Sequence, residues 1–212
     1  MIVTSVAVAR VIWLFNLMDL NPHGRYIYDQ LFPWLVERYR FAKAPSHAQD
    51  QNEKAWEFLD GRFVNGAGSA LDVTLKVYND GVVAETRSST DDSEVFLVDV
   101  LSAATRELGL TFVGSMVHKR NYVSELNLTL KGSLEAMSPQ MRAFSKVVSR
   151  AFESPYEPTT IGFCGDPASN PTLKIERKAN VPLSSNAYWS IAGLPTPAHV
   201  ELLEQFDAML SE

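Results

Sequence analysis

Between residues 71 and 87, Leu71, Val73, Leu75 and Val77 alternate with Asp72, Thr74, Lys76 and Tyr78, and Asn79-Asp80-Gly81 then turns the chain into Val82–Thr86. Alternation of period two around such a turn predicts a half-buried β-hairpin. Tyr122–Leu130 repeats the pattern, with Leu126, Leu128 and Leu130 on one face and Glu125, Asn127 and Thr129 on the other. A first strand is expected over Arg10–Leu20 (RVIWLFNLMDL), where β-branched and aromatic residues run up to Asn21-Pro22. Shorter strands are expected at Trp56–Val64, with a turn at Asp60-Gly61, and at Thr160–Cys164, Thr172–Lys178 and Ala187–Ile191.

The pattern switches to helical spacing four times. Asn21 as N-cap with Pro22 at the first helical position predicts a helix to Arg40, kinked or broken at Pro33 because proline removes the bond to the Asp29 carbonyl. Caps within Ser88–Asp92 start a second helix, which carries Val95, Val98, Leu101 and Leu108 and ends at Gly109. Ser138-Pro139 opens a third, whose buried stripe is expected to be Met141, Phe144, Val147, Val148, Ala151 and Phe152. Thr196-Pro197 opens the last, burying Val200, Leu203, Phe206 and Leu210. Ala42–Lys54 and Asn65–Ser69 read as loops, and no repeat of solenoid period is visible. Strands joined so often by hairpins exclude a Rossmann fold. The expectation is one α+β domain over residues 1–212, an antiparallel or mixed sheet with helices chiefly on one face. Within it, residues 1–45 read as a strand-helix subregion that a partner could receive, packed on it or exchanged with it.

Composition narrows this little. The chain has 212 residues, 46% of them hydrophobic and 21% charged, enough to build a core without disulfides or metals. A net charge of −6 argues against nucleic acid, which needs a basic face. His118-Lys119-Arg120, the densest basic run, reads as a solvated strand start. The apolar stretch Met1–Met18 resembles a signal peptide or a membrane span, but Arg10 sits in its middle and no Lys or Arg precedes it. With a single cysteine, Cys164, nothing demands an oxidising compartment. A cytoplasmic location with no membrane partner is therefore expected.

Candidate chemistry is sparse. Gly162-Phe163-Cys164-Gly165-Asp166 could expose a thiolate at a tight turn, but no histidine is tied to it locally, and Cys164 reads as a small core residue at a strand end. No histidine pair has metal-ligand spacing, and neither a phosphate-binding loop nor a Gly-x-Ser-x-Gly elbow is present. No catalytic residue, metal or cofactor is assigned. In Thr172–Lys178, alternation places Arg177 on the inward face with Leu173 and Ile175. There it is either a rim arginine whose stem covers apolar surface while its head reaches water, or a ligand for an anion, helped by Ser184, Asn186 and Tyr188. Ser184–Asn186 reads as a turn, while Tyr188 and Trp189 suit core or contact equally.

The main functional indication is a surface. On a helical wheel from Pro22 to Arg40, Tyr28, Leu31, Phe32, Trp34, Leu35, Val36 and Tyr39, together with Ile27, span roughly 200°, about twice the apolar arc of a one-sided surface helix. Such a helix needs cover on two sides, from its own chain or from a second one. These features favour a non-enzymatic interaction protein, a homo-oligomer or a subunit of a larger intracellular assembly. The alternative is an enzyme or small-ligand module that binds an anionic compound through Arg177 and the Ser184–Tyr188 segment.

Overall fold

The computed structural model describes residues 1–50, 55–165 and 172–210. It is an α+β protein whose described strand pairings are all antiparallel, in agreement with the expected fold class. Asp166 and residues 51–54, on which two of the sequence readings fall, lie outside the described residues.

The chain divides into two compact units, one of Val8–Tyr122 and one of Met1–Ala7 with Val123–Glu212. The first, called the central unit, contains most of β1 (Ile2–Leu14), a 3₁₀ turn (Leu17–Leu20), α1 (Tyr28–Tyr39), β2 (Ala55–Val64), β3 (Ala70–Tyr78), β4 (Gly81–Thr86) and α2 (Thr90–Leu108). The second, the terminal unit, contains most of β5 (Lys119–Thr129), a 3₁₀ turn (Leu134–Met137), α3 (Pro139–Ala151), β6 (Thr160–Cys164), β7 (Thr172–Arg177), β8 (Ala187–Ala192) and α4 (Thr196–Met209). Apart from a second 3₁₀ turn placed differently in each (Gly114–Met116 and Leu183–Ser185), both units run strand, 3₁₀ turn, helix, three strands and helix, and the strands pair as β2-β3-β4-β1 in one and β6-β7-β8-β5 in the other.

The match extends to single residues. Val82, Ala84 and Thr86 of β4 lie between Trp13, Val11 and Ala9 of β1 and Val77, Leu75 and Val73 of β3. Tyr188, Ser190 and Ala192 of β8 lie in the same way between Leu128, Leu126 and Ser124 of β5 and Arg177, Ile175 and Leu173 of β7. At one constant spacing in the chain, buried Thr90, Ser93, Leu97, Val100 and Ala104 of α2 correspond to buried Thr196, His199, Leu203 and Phe206 of α4 and Leu210 at its C-cap. The chain is a tandem structural duplication. No solenoid period announces it, because what repeats is burial and register, and of the five helix pairs only Thr90/Thr196 and Leu97/Leu203 are identical.

In the central unit, one face of the strands (Val11, Trp13, Leu75, Ala84) shares a core with Phe32 and Leu35 of α1 and Phe96 and Leu97 of α2. On the other face, Arg10 is hydrogen-bonded to Glu85, at 3.0 Å from Nε and 2.7 Å from a terminal nitrogen. In the terminal unit, Leu126, Leu128, Ile175 and Tyr188 pack with Leu203 and Phe206 of α4.

Several boundaries differ from expectation for local reasons. β1 begins at Ile2 and stops at Leu14, because the Asn16 side chain accepts from the Met18 amide and winds Leu17–Leu20 into the 3₁₀ turn. Asn21 does not cap α1. Its amide donates to the Arg25 carbonyl at 2.6 Å and its oxygen accepts from the Arg25 amide at 3.3 Å, so the helix starts only at Tyr28. α1 then runs unbroken through Pro33. In β2 the register shifts between Phe58 and Gly61, with Asp60 at φ 56°, so the expected turn is a bulge. The bulged edge is covered, since Lys43 bridges Leu59. In α2 the large apolar residues that are buried are Phe96, Leu97, Val100 and Leu101; of the expected stripe Leu101 is buried while Val95 and Val98 point outward, so the buried face is rotated from expectation. Gly81 does not supply a positive φ to the hairpin. It is needed because a Cβ there would lie 2.2 Å from the Trp13 carbonyl oxygen of β1.

Candidate functional site

α3 is well specified locally. The Ser138 hydroxyl accepts from the Met141 amide at 3.1 Å, and Pro139 takes a first-turn position where no donor is needed. Its apolar stripe is present as expected, but the stripe is not buried. Ser145 is the helix's buried residue, while Phe144 is 67% and Val147 55% exposed, and Ala151 and Phe152 are exposed as well. α1, at the equivalent place in the central unit, buries Phe32, Leu35 and Tyr39. An amphipathic stripe reads the same in sequence whether its own core or a partner covers it. That is why the expected burial of Met141, Phe144, Val147, Val148, Ala151 and Phe152 is corrected here.

Beside the apolar stripe runs a basic one. Arg142, Lys146 and Arg150 recur every four residues, and no Asp or Glu lies between 139 and 151. In a chain of net charge −6, this is a local reversal of sign. It is the signal in the sequence that marks α3 out.

The segment after α3 folds back along it. The Ser149 hydroxyl accepts from the Tyr156 amide at 2.9 Å and donates to the Tyr156 carbonyl at 3.3 Å, and the Phe152 and Tyr156 rings meet at 4.8 Å. A groove of about 320 Å³ results, lined by Met141, Phe144, Val148, Tyr156, Glu157 and Pro158. Elsewhere in the unit, Phe163 on β6 is exposed as well.

Glu157 ties this segment to the core. Its carboxylate accepts from the Arg177 guanidinium and from the Ser133 hydroxyl, the latter at 2.7 Å. Arg177 also donates to the Tyr188 hydroxyl at 2.7 Å and the Leu183 carbonyl at 2.9 Å, and lies over the Tyr188 ring at 4.8 Å. The Arg177 side chain is 5% exposed, so alternation placed it correctly inward while the expected snorkelling head does not occur. Burial pushes the Tyr188 hydroxyl above its usual pKa, with the Arg177 charge opposing. At the equivalent positions the central unit has Val77 and Val82, an apolar pair.

The other candidates fall as follows. Ser184 lies in the turn Leu183–Ser185, and Asn186 closes it in the left-handed region at φ 45°. Of the expected ligand group only Arg177 and Tyr188 touch, and the Arg177 donors that reach them are spent within the chain. Phe32, Leu35 and Tyr39 of α1 are in the core of the central unit. Tyr28, Leu31, Trp34 and Val36 are partly buried against it, with Tyr28 and Phe32 against the Trp56 ring. The wide arc of α1 is thus covered within its own unit. Cys164 is exposed rather than in the core, at the end of a strand that pairs only with β7 among the described residues. Arg120, in the basic run, bonds Glu94 at 2.8 Å and lies 4.7 Å from the Trp13 ring centre. Among the described residues no three His, Cys, Asp or Glu side chains group to hold a metal, and no helix is long and apolar enough to cross a membrane. No known family model and no curated protein matches the chain.

Proposed function

We propose that this chain is a non-enzymatic interaction protein that associates through the exposed apolar and basic face of α3, with a second copy of itself as the partner. One observation carries the proposal: of two helices at equivalent places in a duplicated unit, α1 is covered by its own core and α3 is not. Exposed apolar patches rimmed by charge are characteristic of protein contacts.

The choice of a second copy rests on charge. α2 exposes Val95 and Val98 beside Asp91 and Glu94, which together line one shallow depression. That stripe is apolar and acidic where α3 is apolar and basic. α3 of one copy against α2 of the next, made twice around a two-fold axis, gives a closed dimer. Opposed charges of this kind set register and exclude wrong partners.

Light scattering across micromolar concentrations tests it. A dimer is expected, reduced to monomer by Phe144→Glu. Reversing Arg142 and Lys146 to Glu should also dissociate it, and adding Asp91→Lys should restore part of the association, with Glu94 left in place because it holds Arg120. A monomer at every concentration would refute self-association. A dimer indifferent to Phe144→Glu would move the contact elsewhere.

A further inference from the structure

Among the differences between the two units is an insertion before the first helix. In the terminal unit a single residue, Ser138, joins the 3₁₀ turn to α3, whereas in the central unit residues 21–27 join it to α1. This inserted loop is firmly held. Asn21 makes its two bonds to the Arg25 backbone, the Gly24 amide donates to the Asn21 carbonyl at 2.9 Å, and Gly24 has φ 59°. The Arg25 guanidinium reaches the end of α2, donating to the Gly109 carbonyl at 2.8 Å and the Leu108 carbonyl at 3.4 Å. At the base of the loop, the Thr111 amide donates to the Leu20 carbonyl at 2.8 Å.

A loop so anchored would be expected to fill the space beneath it. Instead a cavity of about 220 Å³ lies there, walled by Leu20, Ile27, Leu31 and Leu35 and by the rings of Tyr28 and Trp56. The two rings stand 5.1 Å apart, and Met18 and Tyr26 are exposed at the mouth. Unfilled apolar volume is costly in a folded protein, and that cost grows with the volume. Such cavities stay dry and take up apolar molecules.

We infer that this cavity is a binding site for a small, neutral, largely apolar molecule, with an aromatic ring system as the best match to its walls. Size sets one limit. An apolar cavity of about 150 Å³ holds benzene, so this one suits roughly nine or ten non-hydrogen atoms. A helix of about 10 Å diameter is too wide to enter, so a helical peptide does not fit inside. Polarity sets the other limit. The Asn21 amide and oxygen are both engaged, Arg25 is exposed and spends one terminal nitrogen on the two carbonyls, and the walls named above are apolar, so burying a carboxylate against them carries a desolvation cost. The site lies wholly in the central unit and is independent of α3.

The test is titration of the full chain with indole, 1-octanol and octanoate, followed by methyl NMR of its leucines and isoleucines and by thermal melting. Indole should give saturable shifts centred on the methyls of Leu20, Ile27, Leu31 and Leu35, with a raised melting temperature. Octanoate should bind at least about tenfold more weakly than octanol, the cost of desolvating its charge. Leu31→Trp, which fills the space, should abolish the shifts. Met18→Trp, a change at an exposed position that narrows the mouth, should weaken binding without touching the core. A folded wild type giving no saturable shifts at millimolar indole overturns the site. So does equal binding by a folded Leu31→Trp, and octanoate binding more tightly than octanol overturns the neutral ligand.

Discussion

Arg177→Met is the most informative single substitution. Breaking a fully buried ion pair from one side costs about 3–5 kcal/mol, because the surviving charge is left without its partner. Here the Glu157 side chain is 21% exposed and keeps the Ser133 hydroxyl, so it regains some hydration and the lower end applies. The Tyr188 hydroxyl also loses its arginine donor, while the methionine retains most of the apolar stem. The expected loss is about 3 kcal/mol, or a fall in Tm of roughly 6–12 °C for a chain of this size. Chemical denaturation read by circular dichroism would measure it. Adding Glu157→Gln should recover at least half, since a neutral amide tolerates the site that a stranded carboxylate does not. Because both terminal nitrogens of the guanidinium are engaged within the chain, phosphate should not shift the melt of the wild type. A loss below about 1 kcal/mol would mean that the pair is not formed in solution. No recovery in the double variant would mean that the loss comes from packing and not from charge.

The remaining predictions address other positions. His199 is fully buried, its Nε2 2.9 Å from the Ser190 hydroxyl, and burial pushes its imidazole down to about 4 against the opposing Ser124 backbone. The unfolded chain then binds the proton more tightly, so this contribution is complete above pH about 6.5 and is lost as pH falls towards about 4. It amounts to about 3 kcal/mol across that window, and His199→Gln should flatten the pH dependence of stability there. Gly81→Ala should cost at least about 2 kcal/mol in a denaturant titration, because its Cβ meets the backbone of β1 and not a movable side chain. Cys164→Ala should change stability by less than about 0.5 kcal/mol, and the native thiol should react freely with a maleimide.

Local signals were readable in the sequence where the decisive partners are close in the chain. The β3–β4 hairpin, the Ser89 and Ser138 caps and the Gly109 stop follow from residues within a few positions of one another. Competition between alternatives of similar local chemistry decided the failures. Asn21 has the chemistry of an N-cap, but the Arg25 backbone claims its side chain first. Phe96 and Leu97 outcompete Val95 and Val98 for the core by a rotation too small for the periodicity to resolve. Of the site, the inward direction of Arg177 was legible from Leu173 and Ile175. Its partner Glu157 was not, because it lies in a segment without periodicity. The duplication was invisible for the same reason that it is physically informative. Ser93 and His199 occupy one position with different chemistry, each bonded to a hydroxyl in its own unit, Thr86 at 3.0 Å and Ser190 at 2.9 Å.

The outermost strands also determine where the chain is vulnerable on partial unfolding. β2 ends its unit with a bulge and with Lys43 laid across Leu59, so a foreign strand would find its hydrogen-bonding edge interrupted. β6 has no comparable guard among the described residues. Its sequence, Thr-Ile-Gly-Phe-Cys, is uncharged and free of proline, and its exposed edge offers backbone donors and acceptors to any extended chain. Its five residues are a short template, which limits such recruitment in the native state. On heating, aggregation should nucleate at β6, and a lysine placed at Phe163 should delay it without altering the midpoint of reversible unfolding.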